Sequence, residues 1–419
     1  MRKIIFAIFA ISTLIIKAAD PTATNYTMAE CDGSLMPYPA EINPAVFPDS
    51  LQPVFINHVG RHGSRYPASA ANCLKLQQAL ERADSAGTIT PVGRQLKKLN
   101  EQIIRQSEGQ WGALDSLGMA EQRAIATRMF YNFGEIFTNN ALVEGISSYS
   151  PRSMMSMFSF MHQLDRMDNR INFSTSTGRI NSRLMRPFDT SKDYLEFRNE
   201  KLWEPPYLEY FDQFCPTAPI RRALGERYPF TDEAEMRDLA ITEYYVIAGC
   251  SAMSINAGVS TYFTREEYNR LWSCFNLRQY LQRTASTVSF VPAEIAVDLL
   301  QNLIDTTDDY ISGANPAVAR LRFGHAETLM PLLSLMRLKG CYYMTNYFDT
   351  VALHWRDFYV VPMSANLQMI LFRSKTGKYY LRVDLNEQPV PLIPNNSNIY
   401  LPWTEAREFL MALLPLYVQ

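Results

Sequence analysis

The chain has 419 residues, of which 47% are hydrophobic and 20% charged, and its formal net charge is −2. This length and composition are typical of a globular protein with either two domains or one large domain that carries an insertion. A slightly acidic chain with a pI of about 6.3 is not expected to coat nucleic acid, so any anion site requires local clustering of basic residues.

Residues 1–19 have the pattern of a secretory signal segment. Basic residues precede an apolar run over residues 4–16, and small residues follow it as far as Ala19. A buried N-terminal helix is the alternative. The run is short for a membrane span, and no later stretch is long and apolar enough to form one. We therefore expect export to a secreted or periplasmic location, with no integral membrane segment after the signal is removed.

Strands and helices alternate in the first part of the chain, over residues 20–177. An irregular, proline-rich lead-in is followed by an apolar, β-prone strand at 53–56. Thr90 and Pro91 predict the start of a helix, as its N-cap and first helical residue. Further helices are predicted at 70–86, from 114 to about 137 and at 154–164, and further strands at 144–149 and 171–177.

Strands disappear between residues 178 and 287, where helical patterns dominate. Helices are predicted at 232–248 and 264–283, and in the second of these Thr264 and Glu267 have the spacing of a capping box. The stretch is interpreted as an all-α cap domain inserted into an α/β core of residues 20–177 and 288–419. The core resumes with a helix at 292–306, a strand at 318–323, a helix at 328–336 with Pro331 expected in its first turn, strands at 365–372 and 379–385, and a last helix at 404–413.

The cysteines are six in number, and an even count in an exported chain favours disulfides. Cys250 and Cys274 form the first pair to test, because both lie in one predicted helical region. Several buried free thiols are the alternative. No C-x-x-C pair occurs, so a zinc site is not expected. The six are Cys31, Cys73, Cys215, Cys250, Cys274 and Cys341.

The run from Arg61 to Pro67 leaves the first predicted strand and places a histidine between two arginines. The guanidinium groups of Arg61 and Arg65 suit the oxygens of a phosphate by charge and by fork geometry. The imidazole of His62, held between them, could attack phosphorus. Gly63 would let the backbone approach the ligand closely. An ordinary basic surface loop is the alternative at this point.

Two further strand ends carry residues that complement this run. Arg152 follows the strand at 144–149, and His325 and Glu327 follow the strand at 318–323. In open α/β sheets ligands bind at the carboxyl ends of strands, and helix N-termini favour anions. The three segments could therefore converge on one phosphate.

The run over residues 61–67 resembles the R-H-G-x-R-x-P signature of the histidine acid phosphatases. Residues 114–122 are similar to that family's L-T-x-x-G-x-x-Q helix start, with Asp115 in place of the usual threonine, and Arg152 falls where the family places a third phosphate-binding arginine. Most members end the site with His-Asp. The H-A-E triplet at residues 325–327 instead resembles the multiple inositol polyphosphate phosphatase branch, which acts on phytate and lower inositol phosphates. The resemblance implies an α/β fold with a central sheet flanked by helices and an inserted all-α cap.

The resemblance also implies a role for each of these residues. His62 would be the nucleophile and form a phosphohistidine, which divides one displacement into two steps. Glu327 would protonate the leaving alcohol. The phosphoryl oxygens would be held by Arg61, Arg65, Arg152 and His325. This chemistry requires no metal or other cofactor, and a glutamate that its site keeps protonated implies an acidic pH optimum.

Recognition of a polyphosphorylated ring would require cations beyond these. Residues 178–186 carry three arginines just after a predicted strand. Arg183 is the first candidate among them, and Arg186 and Lys75 are weaker candidates. The alternative is that the arginines of residues 178–186 lie at the solvent-exposed start of a helix and bind no ligand.

The expected partner is a small phosphorylated molecule of the inositol phosphate type, and not nucleic acid. A less selective acid phosphatase that acts on sugar or nucleotide phosphates shares the core and would differ in the cap. A non-catalytic anion-binding protein on the same fold is a second alternative, which the presence of both His62 and Glu327 disfavours. The sequence determines neither the oligomeric state nor the ring phosphate that is removed first.

Overall fold

One eight-stranded sheet lies at the centre of the protein, and helices pack on both of its faces. The computed structural model describes residues 26–138 and 140–415 of the chain. The predicted signal segment at residues 1–19 lies outside these described residues. Within them, no helix combines the length and the apolar character that crossing a membrane requires.

The strands bear out the predicted order of β elements. They are β1 (Leu51–Arg61), β2 (Leu142–Ser147), β3 (Asn172–Ser176), β4 (Ala317–Gly324), β5 (Asn366–Ser374), β6 (Tyr379–Leu385), β7 (Gln388–Val390) and β8 (Leu401–Pro402). Their order across the sheet is β3-β2-β4-β1-β5-β6-β7, and β8 pairs with β6. Strands β1 to β4 run parallel to one another, whereas β5 to β8 pair antiparallel with their neighbours.

The register of the parallel strands brings three chain segments to one edge of the sheet. Arg61 at the end of β1 is opposite Gly324 at the end of β4, and Ser147 at the end of β2 is opposite Phe323. Parallel strands end at the same edge, so the segments that follow β1, β2 and β4 leave the sheet side by side.

A helix lies at each position where one was predicted, with differences at the ends, and the described residues add seven helices that were not predicted individually. They are α1 (Ala71–Ser85), α2 (Pro91–Ser107), α3 (Ser116–Phe133), α4 (Pro151–Met167), α5 (Ser182–Met185), α6 (Pro187–Thr190), α7 (Lys192–Glu200), α8 (Glu204–Phe214), α9 (Ala218–Leu224), α10 (Glu233–Ala248), α11 (Arg265–Arg283), α12 (Val291–Glu294), α13 (Val297–Ser312), α14 (Ala326–Leu335), α15 (Val351–His354), α16 (Asp357–Val360) and α17 (Trp403–Ala412). Short 3-10 helices lie at Glu30–Leu35, Gly134–Phe137, Arg179–Asn181, Ser251–Met253, Val259–Thr261 and Phe348–Thr350.

Side chains at helix starts explain why two of these helices begin where the sequence predicts. The hydroxyl of Thr90 accepts a hydrogen bond from the N–H of Gly93 at 3.1 Å, just before α2. At the start of α11, the N–H of Thr264 donates to the Glu267 carboxylate at 2.8 Å, and the N–H of Glu267 donates to the Thr264 hydroxyl at 3.2 Å. The predicted capping box is therefore confirmed.

The core lies on both faces of the sheet, because successive side chains of its strands point to opposite sides. On β5, Leu367, Met369 and Leu371 pack into the larger hydrophobic cluster. Ile370 and Phe372 pack into the second cluster, against side chains of α3 and α4. Hydrophobic clusters therefore cover both faces of the sheet.

The described chain between β3 and β4 is helical, as predicted for residues 178–287. It does not stand apart from the remainder of the protein. Helix α10 packs on α1, and α11 packs on α14, so this stretch shares the larger hydrophobic cluster with the core helices. The boundaries of a separate cap at 178 and 287 stay a prediction.

The disulfide prediction is wrong for this structure, in which all six cysteines are buried free thiols. The thiol of Cys250, which lies just beyond the end of α10, donates to the carbonyl oxygen of Val246 in that helix at 3.5 Å. Burial, followed by the neighbouring thiol of Cys215, raises the pKa of the Cys274 thiol well above its ordinary value. Proximity of Cys250 and Cys274 in a helical region therefore does not place their side chains together.

The helices on either side of β4 differ from the prediction. The helix predicted at 292–306 is divided into α12 and α13. Helix α14 begins earlier than predicted, because the N–H of His325 donates to the Thr328 hydroxyl at 3.0 Å and caps the helix there. Pro331 is consequently inside α14, beyond its first turn.

Candidate active site

A cleft of about 480 Å³ opens at the edge where β1 and β4 end. Its walls include Arg61, His62 and Arg65 after β1, Arg152 at the start of α4 and Glu327 at the start of α14. The three segments that the sequence predicts to converge are therefore brought together in one cleft.

His62 is buried beside this cleft, and the position of its proton is fixed. The residue is only 3% exposed, and its Nδ1 lies 2.9 Å from the carbonyl oxygen of Gly63. A carbonyl only accepts, so Nδ1 carries the proton and Nε2 keeps a lone pair. Burial, followed by the charges of Arg152, Arg61 and Arg65, holds the pKa of His62 well below its ordinary value. The ring is therefore neutral and can act as a nucleophile.

Gly63 is required by a close contact between two stretches of backbone, and not by the ligand as the sequence suggested. A Cβ atom on Gly63 would lie 2.4 Å from the carbonyl oxygen of Gly118, and one on Gly118 would lie 2.2 Å from the carbonyl oxygen of Ser64. The start of α3 thus lies directly against the loop that holds His62. Asp115 caps α3 in place of a threonine, since its carboxylate accepts from the N–H of Leu117 at 2.8 Å.

Two side chains of α3 hold the same loop by hydrogen bonds. Glu121 accepts from the N–H and the hydroxyl of Ser64 at 2.9 and 2.7 Å, and from the hydroxyl of Ser364 at 2.8 Å. The Nε2 of Gln122 donates to the carbonyl oxygen of Arg61 at 3.0 Å. The motif at residues 114–122 therefore supports the loop and does not line the cleft.

The arginines near His62 have hydrogen-bond donors left over for a ligand. The Nη1 atom of Arg61 donates to the carbonyl oxygens of Ser34 and Val361, each at 2.6 Å. Within the described residues, the buried Nε atoms of Arg61, Arg65 and Arg152 have no hydrogen-bond partner. Burial, followed by the charge of Arg65, lowers the pKa of Arg61 and Arg152 to about 10, so both stay cationic at neutral pH. Such guanidinium groups suit an anion that enters the cleft.

His325 lies edge-on to His62, with the ring centroids 5.5 Å apart. Its Nε2 is 2.9 Å from the Ser148 hydroxyl and 2.8 Å from Nη1 of Arg186. A guanidinium only donates, so Nε2 accepts and the neutral ring carries its proton on Nδ1. Nδ1 is 3.4 Å from Nη2 of Arg152, so two donors face each other there, and an anion between them would accept from both. Burial, followed by the Arg152 charge, holds the pKa of His325 well below its ordinary value.

Glu327 faces the cleft in an ion pair with Arg283, whose Nη2 lies 3.0 Å from Oε1 of the carboxylate. Burial acts to raise the pKa of Glu327, but the charge of Arg283, with a smaller contribution from Arg61, outweighs it and holds the pKa below the ordinary range. The free protein therefore keeps Glu327 ionised. This direction runs against a site that keeps the carboxyl protonated before substrate binds, and the acidic pH optimum stays a prediction.

The cations predicted for distal phosphates have different positions. Lys75 lines the cleft and is ion-paired there with Asp238. Arg186 reaches the site through its contact with His325. Arg183, the first candidate, does not line the cleft. Its side chain is 79% exposed, bonds the Asp298 carboxylate at 2.7 Å and lines a separate cavity of about 700 Å³.

One face of α11 lines the cleft, and the sequence patterns above did not single it out. That face carries Phe275, Arg278, Gln279, Gln282 and Arg283. These residues recur at spacings of three and four, which places them on one side of a helix. Polar residues at that spacing, on a helix that is otherwise largely buried, were the signal that could have identified them.

Together these groups can hold a tetrahedral anion beside a nucleophile. An anion bound by the three arginines and by the Nδ1–H of His325 would lie next to Nε2 of His62. Preorganised donors of this kind stabilise charge that develops on transferring oxygens. The arrangement can therefore transfer a phosphoryl group to nitrogen, with Glu327 as the carboxyl group at the same cleft.

Known proteins resemble this chain in sequence and in fold. Residues 54–386 match the family described as Histidine phosphatase superfamily (branch 2). Human Multiple inositol polyphosphate phosphatase 1 is 26% identical over 396 residues, which cover 85% of this chain and 79% of the human protein. Multiple inositol polyphosphate phosphatase from Bifidobacterium longum, solved in complex with phosphate, has a TM-score of 0.78 at 18% identity, covering 93% of this chain and 99% of that one. The phytase from D. castellii has a TM-score of 0.70 at 15% identity, covering 94% and 88% of the two chains.

Proposed function

The chain belongs to the histidine phosphatase superfamily, branch 2, and on that basis we propose that it is a phosphomonoesterase that removes phosphates from inositol polyphosphates such as phytate. The observation that carries the proposal is the cleft, where His62 with an unprotonated Nε2, arginines with open donors and Glu327 face one space. The names of the human and Bifidobacterium longum relatives support the substrate class.

In the first proposed step, Nε2 of His62 attacks phosphorus and expels the alcohol. The N–P bond forms as the P–O ester bond breaks, and a proton from Glu327 goes to the leaving oxygen. The carbonyl oxygen of Gly63 accepts from Nδ1–H and so stabilises the positive charge that develops on the ring. The charge on the phosphoryl oxygens is offset by Arg61, Arg65, Arg152 and His325.

In the second proposed step, water hydrolyses the phosphohistidine. The carboxylate of Glu327 accepts a proton from the attacking water, the N–P bond breaks, and inorganic phosphate leaves with His62 neutral again. The same carboxyl group thus acts first as the acid and then as the base.

Selectivity for several phosphates on one ring would come from the helical stretch over residues 178–287, which we treat as a cap on a core of residues 20–177 and 288–419. Helix α11 of this cap contributes Arg278 and Arg283 to the cleft, and α1 of the core adds Lys75. Phosphates that flank the scissile group would lie near these cations. Each charge-assisted contact of this type stabilises a complex by about 1.5–3 kcal/mol.

The test is a comparison of kcat/KM for inositol hexakisphosphate and for 4-nitrophenyl phosphate, with the inositol products followed over time. We expect stepwise conversion to lower inositol phosphates and a preference for the hexakisphosphate of roughly tenfold or more, the equivalent of one charge-assisted contact. Cleavage of the small ester alone would refute the inositol proposal and favour the broader phosphatase for sugar or nucleotide phosphates.

A His62→Ala variant tests the covalent route. It should abolish turnover of both esters while the chain still unfolds cooperatively. Turnover at the wild-type rate would contradict the phosphohistidine step. Binding of both esters by the wild type without any turnover would favour the non-catalytic alternative.

We also propose that the chain is exported. The pattern of residues 1–19 supports this proposal. N-terminal sequencing of the protein recovered from outside the cytoplasm should begin close to residue 20. A mature protein that still begins at Met1 would contradict export by a cleaved signal.

A further inference from the structure

The ion pair between Arg283 and Glu327 conflicts with the proposed role of Glu327 as an acid. Nη2 of Arg283 lies 3.0 Å from Oε1 of Glu327. Nη1 of Arg283 donates to the side-chain oxygens of Gln279 and Gln282 on the same helix, and within the described residues the buried Nε has no partner. A carboxylate held in this way carries no proton for a leaving alcohol.

Three arginines act on Glu327, and Arg283 is the strongest of the groups that keep it ionised. Burial alone would raise the pKa of Glu327, and the Arg283 charge is the largest effect that lowers it. The charged and titratable groups that act on Glu327 from the surrounding elements are Arg283 of α11, His325 before α14, Arg61 of β1, Arg152 of α4 and Tyr194 of α7.

The pair is open to the cleft, so a ligand can replace one of its members. The side chains of Arg283 and Glu327 are 19% and 34% exposed, and both line the cleft. By contrast, the Arg382–Asp384 pair within the sheet is only 1% and 3% exposed. An anion that enters the cleft can therefore reach Arg283 without any unfolding, which no ligand can do at Arg382.

We propose that Arg283 is a positioning residue that responds to the substrate: a phosphate next to the scissile group draws its guanidinium away from Glu327, and the released carboxyl then holds the proton that the leaving alcohol requires. The inference rests on the proposed function, which assigns the acid role to Glu327. It deepens that function, because the acid becomes available mainly when a polyphosphorylated substrate is bound.

Elementary electrostatics gives the direction of the effect. A phosphate dianion is a stronger partner for a guanidinium than one carboxylate, because it offers more charge and a bidentate geometry. Loss of the Arg283 contact removes the main interaction that favours the ionised carboxyl. A neighbouring phosphate adds negative charge that disfavours it further. Burial and the added negative charge then both favour the neutral carboxyl, and Glu327 takes up a proton.

The experiment measures kcat/KM against pH for wild type and Arg283→Gln with three substrates. These are inositol hexakisphosphate, a monophosphate ester of a simple alkyl alcohol, and 4-nitrophenyl phosphate. The alkyl ester needs a proton on its leaving oxygen and has no second phosphate. Nitrophenolate leaves without a proton, so the third substrate reports on binding of the scissile phosphoryl group alone.

We expect Arg283→Gln to move the pH midpoint of the alkyl ester reaction upward. At a pH above that midpoint, kcat/KM for the alkyl ester should rise about tenfold for each unit of the shift, because a larger fraction of free enzyme carries the proton. The kcat/KM for the hexakisphosphate should fall about tenfold, because one contact to a substrate phosphate is lost. For 4-nitrophenyl phosphate the pH midpoint should stay in place, because nitrophenolate leaves without a proton.

Two further variants separate the possible failures. Arg278→Gln removes a cation from the same face of α11, where it lies over the Trp203 ring, and should lower turnover of the hexakisphosphate without moving the alkyl midpoint. Glu327→Gln should lower alkyl ester turnover by about 100-fold or more, the usual contribution of a general acid. If Glu327→Gln has this effect and Arg283→Gln leaves the midpoint in place, the role of Arg283 is overturned and the acid role stands. If Glu327→Gln leaves alkyl turnover unchanged, the proposed mechanism itself fails.

Discussion

Glu243 on α10 should make the stability of the protein depend on pH, and its replacement by glutamine should remove that dependence. The side chain is fully buried, and within the described residues neither carboxylate oxygen has a hydrogen-bond partner. Burial raises the pKa of Glu243 to about 8, although the Arg222 charge opposes the change. The folded state therefore binds a proton that the unfolded chain releases at a much lower pH.

The free energy of unfolding that depends on Glu243 is largest at low pH and is lost as the pH rises. The loss begins above the ordinary glutamate pKa of about 4.5 and is complete above about pH 8. One pKa unit corresponds to about 1.4 kcal/mol. The free energy of unfolding that Glu243 contributes therefore falls by about 2.5 kcal/mol between pH 5 and pH 7, and the total loss relative to low pH approaches about 5 kcal/mol above pH 8.

Denaturant unfolding of wild type and Glu243→Gln at pH 5, 7 and 8.5 measures this cost. Glutamine resembles the protonated carboxyl in shape. The free energy of unfolding of the variant, relative to that of wild type, should therefore increase by about 2.5 kcal/mol from pH 5 to pH 7. Glu408→Gln, a change of an exposed carboxyl on α17, is the matched control and should run parallel to wild type. If the free energy of unfolding of Glu243→Gln also changes with pH in parallel with that of wild type, the carboxylate is ionised inside the fold and the reasoning is refuted.

Three further substitutions test the site. Gly118→Ala places a Cβ atom against the Ser64 backbone and should displace the loop that holds His62. We expect kcat to fall about 100-fold in steady-state kinetics, and the free energy of unfolding to fall by about 1–3 kcal/mol in denaturant unfolding. An unaffected kcat would mean that the loop tolerates displacement. Arg186→Gln frees Nε2 of His325 from its fixed donor and should weaken inhibition by inorganic phosphate about tenfold, with partial recovery in Arg186→Lys. Arg183→Gln should leave kcat/KM for inositol hexakisphosphate within about twofold of wild type, and a larger loss would place this exposed arginine in substrate binding after all.

Much of the fold could be predicted from local sequence signals. Thr90 and Thr264 are helix N-caps whose hydrogen bonds reach only three residues along the chain, so their sequence alone identifies them. The strand ends that carry Arg61, Arg152 and His325 were likewise predicted, because parallel strands must end at one edge of a sheet.

The contacts that the sequence could not predict are tertiary ones. Arg283 and Glu327 are far apart in the chain, and nothing local to either indicates that they form an ion pair. Arg183 and Arg186 are almost adjacent, yet only Arg186 reaches His325, because α5 ends between them and the chain turns. The thiol near Cys274 is likewise that of Cys215, just after the end of α8, and not that of Cys250, which is nearer in sequence.

The contact between Gly63 and Gly118 restricts how this site can be changed by selection or by design. Each missing Cβ atom would collide with main-chain atoms, so no compensating side-chain substitution at a partner position can relieve the clash. Single substitutions at either position should therefore disrupt the site, and most members of a mutant library that varies them would be inactive. Variation that retunes substrate choice has to enter through wall residues whose side chains border open space, such as Ala68 and Asn72.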